Sequence, residues 1–241
     1  MRVWKGRRYW VVGASEGLGR ALATRMAAAG ADLILSARSG DKLRDLAATL
    51  PGAQAVPVDV RSDTSVAEAA EQEGPVDGIV WMSAVYWPMP ATAWNAEQVT
   101  QMCDVNFTGC ARVMGAVVPG MVARGTGHVV LTGSLSGFRG LPGAIGYGAS
   151  KAAVMHLAET MHVDLKGKGI DVQLVNPGFI RTRLTEKNDF RMPFIMDADR
   201  AAGIMFDHMN TRRFARNFPR VFAAMFRASQ FLPDWLYYRI V

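Results

Sequence analysis

The sequence predicts an α/β fold, a doubly wound parallel sheet with helices on both faces. Three observations carry this. Short apolar runs rich in β-formers alternate with helical runs along the chain, the order that sets parallel strands between right-handed crossover helices. A glycine-rich turn, Gly13-Ala14-Ser15-Glu16-Gly17-Leu18-Gly19, joins the first apolar run to the first helical one. The chain has 241 residues, 50% of them hydrophobic, which suits one such domain with a large core. No repeat, low-complexity tract or linker divides it, so residues 1–241 are expected to form a single domain.

The first strand is expected at Tyr9-Trp10-Val11-Val12, where four apolar β-formers follow one another. The glycine turn follows at once, and the alanine-rich stretch from Arg20 to Ala29 reads as a helix stopped by Gly30. Strand, glycine turn and helix together make the context of a nucleotide site. Glycine permits the tight turn and a close approach of backbone to a pyrophosphate, and the helix N-terminus offers free N–H groups. Gly13, Ser15, Glu16, Gly17, Leu18 and Gly19 are the candidate contacts there. The second strand, Asp32 to Ser36, ends at Ala37-Arg38. An acid about 20 residues beyond the glycines would hold the ribose 2′-hydroxyl of NAD. Ala37 has no carboxylate and Arg38 can pair with a 2′-phosphate, so NADP(H) is expected over NAD(H). Glu16 is the counter-signal, because a carboxylate on the turn repels the extra phosphate. Later strands are expected at Gly78 to Met82, His128 to Thr132 and Asp171 to Val175.

A second constellation carries chemistry. Tyr147 and Lys151 stand four apart in Tyr-Gly-Ala-Ser-Lys, with Ser134 thirteen residues upstream. A helix puts residues i and i+4 on one face, about 6 Å apart. A free phenol titrates at about 10, and a neighbouring cation favours the phenolate, so Tyr147 is expected to be an acidified proton donor. The Ser134 hydroxyl can orient a carbonyl oxygen.

These motifs together resemble the short-chain dehydrogenase/reductase family, over the stretch from about Lys5 to about Thr182. Gly13, Gly17 and Gly19 match its spaced glycines. Asp59, in Val58-Asp59-Val60, matches the acid that contacts the adenine, with Val60 beside it. Asn106, in Asp104-Val105-Asn106, matches the helix residue that holds a water in a proton relay. Ser134, Tyr147 and Lys151 complete the catalytic tetrad. Asn176-Pro177-Gly178, with Ile180 and Thr182, matches the stretch that meets the nicotinamide. The resemblance implies a Rossmann-like fold and a NADP(H)-dependent oxidoreductase that reduces a carbonyl or oxidises a secondary alcohol, with Asn106, Ser134, Tyr147 and Lys151 as catalytic residues. It also implies a homo-oligomer, a dimer or tetramer, formed through the long helices around Asn106 and Tyr147. One motif departs. After the fourth strand the family carries Asn-Asn-Ala-Gly, whereas this chain has Trp81-Met82-Ser83-Ala84. Ser83 and Ala84 are still small, so room for the cofactor ribose is expected at Ala84. A non-catalytic NADPH-binding regulator and a sugar-nucleotide epimerase or dehydratase are the rival readings.

The rest of the chain bounds partners and compartment. Cys103 and Cys110 are seven apart on an expected helix, a spacing that suits neither a metal nor a disulfide framework. They imply core packing in a reducing compartment, and no metal is expected from His128, His156, His162 and His208. His156 and His162 are expected on the surface, or at an interface, of the helix after Lys151. No stretch reads as approaching the roughly 20 apolar residues of a membrane span, and a cytoplasmic location follows.

The net charge is +6, and residues 211–241 hold six arginines against the single acid Asp234. Phe214, Phe218, Phe222 and Phe226 recur at i, i+4 in this segment, followed by Phe231, Trp235, Tyr237 and Tyr238. Pro219 suits the start of a helix and so splits the stripe. The segment is open to three readings: an anionic membrane surface, a subunit interface, or a lid over an apolar substrate pocket. Nucleic-acid binding is excluded, since no recognition motif accompanies the charge. Residues 183–241 are expected to supply the substrate side, with a loop from Thr182 to Met196 that mixes Arg181, Arg183, Lys187 and Arg191 with Phe190, Met192, Phe194 and Ile195. A second loop, Tyr86-Trp87-Pro88-Met89-Pro90, adds apolar surface. A largely apolar small-molecule substrate, with or without an acidic group, is expected.

Overall fold

The computed structural model describes residues 2–241. In chain order the elements are β1 (Arg8–Val12), α1 (Gly17–Ala28), β2 (Asp32–Ser36), α2 (Gly40–Thr49), β3 (Ala53–Ala55), α3 (Asp63–Glu73), β4 (Gly78–Trp81), α4 (Ala96–Cys103), α5 (Gly109–Arg124), β5 (Gly127–Thr132), α6 (Ile145–Asp164) and β6 (Ile170–Pro177). Then come two-residue strands β7 (Ile180–Arg181) and β8 (Met196–Asp197), followed by α7 (Ala198–Met209), β9 (Ala215–Phe218), α8 (Arg220–Ser229) and α9 (Asp234–Ile240). Seven strands form one sheet in the order β3-β2-β1-β4-β5-β6-β9, and every neighbouring pair is parallel. The chain winds outward from β1 on one side and from β4 on the other. Their C-terminal ends, Val12 opposite Trp81, flank the crevice where such sheets bind ligands.

Alternation along each strand divides the core into two layers. Trp10 and Val12 face one side with Ile34, Ile79, Trp81, Val129 and Leu131, beneath Val113, Val117 and Met121 of α5 and Val154 and Ala158 of α6. Tyr9 and Val11 face the other with Leu33, Leu35, Val80, Val130 and Val175, beneath Leu22 and Met26 of α1, Leu43 and Leu46 of α2 and Met205 of α7. Each such side chain contributes about 1.5–3 kcal/mol on burial, and covering both faces makes the strands apolar throughout.

Three sequence expectations change. Helix α1 begins at Gly17, inside the glycine turn, rather than at Arg20. A helix that is long and apolar enough to cross a membrane does exist: Ala96–Arg124 spans 29 residues, with a mean hydropathy of 1.2 over its most apolar window. It runs through α4, a π-helical turn at Asp104–Thr108 and α5. Val105, Val113, Met114, Val117 and Met121 on it belong to the core layer, and Arg112 on it pairs with Asp63 and Asp104. The seventh strand, β9, also went unforeseen, because Ala-Arg-Asn-Phe lacks an apolar run. Its placement depends on a buried polar bridge. His128 on β5 contacts the Tyr9 hydroxyl at 2.9 Å and Gln173 Oε1 at 2.8 Å, and Gln173 Nε2 donates to the carbonyls of His208, Thr211 and Arg213. Those carbonyls fix the turn that delivers β9 to the edge of β6. Burial pushes the His128 imidazole down to about 3, so it stays neutral there.

Candidate active site

The glycine turn sits where β1 hands over to α1, and steric contact explains its residues. A Cβ on Gly19 would lie 2.0 Å from the Gly13 carbonyl oxygen, and one on Gly13, at φ +98°, would lie 2.5 Å from the Ser83 nitrogen. Side chains there would break the turn and its contact with the chain leaving β4. Glu16 caps α1 without a side-chain bond, so the first N–H groups of the helix are left for a ligand. Ser39, the N-cap of α2, also makes no side-chain cap bond. Two helix N-termini thus open on one cavity of about 560 Å³.

Of the residues expected from sequence to bind a cofactor, Gly13, Ser15, Glu16, Gly17, Leu18, Gly19, Arg38, Val60, Ala84, Tyr147, Lys151, Pro177, Gly178, Ile180 and Thr182 all line this cavity. Asp59 does not. Its carboxylate accepts from the backbone and guanidinium of Arg61, which pulls its pKa below the usual carboxylate range. Ser39, Lys42, Met82, Ser83, Thr132, Gly133, Arg183 and Thr185 line the cavity and were missed. Met82 and Ser83 could have been found from their place after β4. The others are close chain neighbours of predicted residues, Ser39 and Lys42 of Arg38, Thr132 and Gly133 of Ser134, and Arg183 and Thr185 of Thr182. Glu16 is disarmed as a counter-signal: one carboxylate oxygen takes the Lys42 ammonium and the other takes Arg183 at 3.0 Å.

A dinucleotide fits these residues on observations internal to the fold. Two uncapped helix N-termini and a backbone cradle suit a pyrophosphate. Arg38 has no carboxylate partner among the described residues. The buried Thr132 Oγ1, on the cavity wall, has no hydrogen-bond partner among the described residues.

Ser134 and Tyr147 also line a second cavity of about 530 Å³. Its walls are Met89 and Pro90 from the chain after β4, Leu141 and Pro142 from the chain before α6, and Phe179, Phe190, Phe222 and Phe226 from later segments. Phe179 lies 5.8 Å from Phe190 and 5.9 Å from Phe222, and Phe222 meets Phe226 edge-on at 4.9 Å. The aromatic stripe is split as Pro219 suggested. Phe218 is buried in β9, and only Phe222 and Phe226 on α8 reach the cavity.

Ser134, Tyr147 and Lys151 come together at the cavity, while Asn106 lies behind its wall, and one role differs from the sequence reading. Ser134 Oγ accepts from the Ser136 nitrogen at 3.2 Å and from Ser136 Oγ at 2.9 Å, which leaves its own hydrogen free to donate. Ser136 had no sequence signal. Lys151 is buried, donates from Nζ to the Thr132 carbonyl at 3.0 Å, and lies 5.7 Å from the Tyr147 ring centre.

The correction concerns the phenol. Burial pushes Tyr147 up to about 12, with the Ser134 hydroxyl opposing and Tyr86 adding to the rise, and burial pulls Lys151 down to about 8. The expected acidification fails because desolvation outweighs an ammonium that is directed at Thr132.

The Asn106 side chain makes a brace. Its Oδ1 accepts from the Val85 nitrogen at 2.7 Å, and its Nδ2 donates to the Val85 carbonyl and Ser150 Oγ, each at 3.0 Å. Both amide hydrogens are used, so the side chain ties the chain after β4 to α6, and a water at Asn106 would have to donate to one of its oxygens. This brace holds the segment that lacks the Asn-Asn-Ala-Gly amides. In that segment Trp81 is fully buried and its indole nitrogen has no partner among the described residues.

Comparison with known proteins agrees with this geometry. A family model described as short chain dehydrogenase matches residues 8–191. An uncharacterized oxidoreductase of Myxococcus xanthus is 34% identical over 235 residues, 94% of this chain and 93% of its own length. Human 17-beta-hydroxysteroid dehydrogenase type 1 is 34% identical over 73% of this chain and 58% of its own length. Among solved structures, a short-chain dehydrogenase from Sphingobium yanoikuyae in complex with NADPH superposes with a TM-score of 0.85 at 28% identity, covering 92% of this chain and 91% of that one.

Proposed function

The chain belongs to the short-chain dehydrogenase/reductase family, and from that premise we propose that it is a NADP(H)-dependent oxidoreductase that reduces a carbonyl, or oxidises a secondary alcohol, on a largely apolar small molecule. The observation that carries the reading is that Ser134 and Tyr147 belong to both cavities at once. One cavity has helix N-termini and a free arginine, and the other is aromatic. The NADPH complex of the Sphingobium yanoikuyae relative and the steroid named for the human relative agree with these two halves.

The backbone of Gly13 to Gly19 holds the pyrophosphate at the start of α1. Arg38 and Ser39 hold the 2′-phosphate, Lys151 the nicotinamide ribose, and Pro177, Gly178, Ile180 and Thr182 the nicotinamide end. When bound, the dinucleotide supplies a hydride to the carbonyl carbon. Ser134, its lone pairs engaged by Ser136, donates its hydrogen to the carbonyl oxygen. Tyr147, kept neutral by burial, transfers its proton to that oxygen as negative charge develops there. Lys151, bonded to the Thr132 carbonyl and 5.7 Å from the Tyr147 ring centre, stabilises the phenolate this leaves by its charge. Asn106 is a positioning residue, holding α6 and the Val85 backbone in place. Residues 1–241 act as one domain, with 183–241 as its substrate side. Oligomers form through the outer faces of α4, α5 and α6, where Val122 and Val163 are exposed. The free thiols of Cys103 and Cys110 suit a reducing, cytoplasmic setting.

A panel of apolar ketones and aldehydes, followed by loss of NADPH absorbance, tests this. Turnover is expected, with kcat/KM level at neutral pH and falling as pH rises through about 8, where Lys151 loses its charge. The phenol, at about 12, stays protonated across that range. NADPH that binds tightly but is never consumed would assign the chain to a non-catalytic regulator. A rate that stays level through about 10, where even a free lysine loses its charge, would remove Lys151 from the proton chemistry.

A further inference from the structure

We propose that the C-terminal face, made of the outer side of α8, the turn at Phe231 and α9, docks on an anionic lipid surface. The proposal stands on this surface alone and holds whichever reaction the cavities serve.

Helix α8 is apolar on two sides. Phe222 and Phe226 turn inward to the aromatic cavity. Val221, Ala224, Met225 and Ala228 turn outward, with Val221 64% and Met225 60% exposed. A helix that covers a water-facing surface keeps its outer side polar, and this one is polar there only at Arg220 and Arg227. Phe231, Trp235, Tyr238 and Ile240 extend the apolar surface, at 85%, 71%, 68% and 66% exposure. Tryptophan and tyrosine suit a boundary between water and hydrocarbon.

These rings are held out by a fixed platform. Tyr237 of α9 is buried and donates to the Gly140 carbonyl at 2.6 Å. Arg139 stacks on the Tyr237 ring at 3.8 Å, donates to the Leu232 carbonyl at 2.9 Å, and pairs with Asp234 at 2.6 Å. The exposure of Trp235 and Tyr238 therefore comes with an anchored neighbour between them.

Charge selects the occupant. Asp234, the only acid of the segment, is taken by Arg139. Arg220 and Arg227 on α8 and Arg239 on α9 are exposed and in no ion pair among the described residues. Unpaired cations beside exposed aromatic and aliphatic side chains match an anionic headgroup layer over acyl chains. A second copy matches less well, because a two-fold interface would set these cations against their own images.

The test is co-sedimentation of the full chain with phosphatidylcholine vesicles and with vesicles that also contain phosphatidylglycerol. Binding at least about tenfold stronger to the anionic vesicles, weakened by salt, is expected. The Arg220→Gln, Arg239→Gln double variant should lose about fivefold per cation removed. The Phe231→Ala, Trp235→Ala double variant should bind more weakly still, with an unchanged thermal midpoint as the check that the exposed positions do not hold the fold. Failure of the wild-type chain to sediment with anionic vesicles overturns the proposal. So does concentration-dependent dimerisation that the Trp235 variant abolishes without any vesicle binding, which would make the occupant a second copy.

Discussion

Tyr147→Phe should lower kcat/KM for carbonyl reduction by about two to four orders of magnitude, the usual worth of a positioned general acid, with NADPH affinity changed by no more than about twofold. The substitution deletes one oxygen and keeps the rest. The ring keeps its edge-on contact with Tyr86, at 4.9 Å between centres, and the Tyr147 carbonyl still accepts from Ser150 at 2.9 Å. Ser134 and Ser136 keep their own bond, so the hydroxyl that orients the carbonyl remains. What is lost is the phenol, a group common to both cavities that stays neutral at physiological pH and can pass its proton to an alkoxide. Steady-state kinetics beside a fluorescence titration of NADPH separates the two effects. Near-native turnover in the variant would remove the phenol from the chemistry, and parallel loss of NADPH binding would make it a structural residue.

Arg38→Ala should weaken NADPH about 10- to 100-fold and leave NADH within about twofold, since one charge-assisted hydrogen bond contributes about 1.5–3 kcal/mol. Three cations, Arg38, Lys42 and Arg183, line this end of the cavity. Lys42 and Arg183 are committed to Glu16, which leaves Arg38 to meet an added phosphate. Raising the salt concentration should narrow the NADPH advantage of the wild type and change the variant little. Equal losses for both dinucleotides would show that Arg38 supports the adenosine end as a whole. Tighter binding of NADH by the wild type would overturn the cofactor assignment.

The parts of this site that could be read from sequence are those set by local geometry. The glycine turn is defined by strand, turn and helix within twelve residues of one another. Tyr147 and Lys151 share a helix face because they are four apart. Both needed only the period of the backbone. The features that could not be read are tertiary. Glu16 looks like an obstacle to a 2′-phosphate until Lys42 and Arg183, distant in the chain, are seen to hold it. Acidification of Tyr147 seemed to follow from an adjacent lysine, but its direction is set by burial, which depends on how Tyr86 and the walls close over it. Asn106 carries no sign of its target, because Val85 reaches it only through packing of the π-helical turn against the end of β4. Strand β9 has no apolar run and is held by carbonyl contacts to Gln173, so its pattern carries no strand signal at all.

Reduction of an apolar ketone with NADPH deuterated at the reactive nicotinamide carbon, read by mass spectrometry of the alcohol, probes the shared position of Ser134 and Tyr147 with the fewest assumptions. One deuterium on the carbinol carbon is expected, with no label at that carbon when the solvent alone is deuterated. A carbinol hydrogen drawn from water, or a cofactor that stays unoxidised against every carbonyl offered, would contradict hydride transfer at this site.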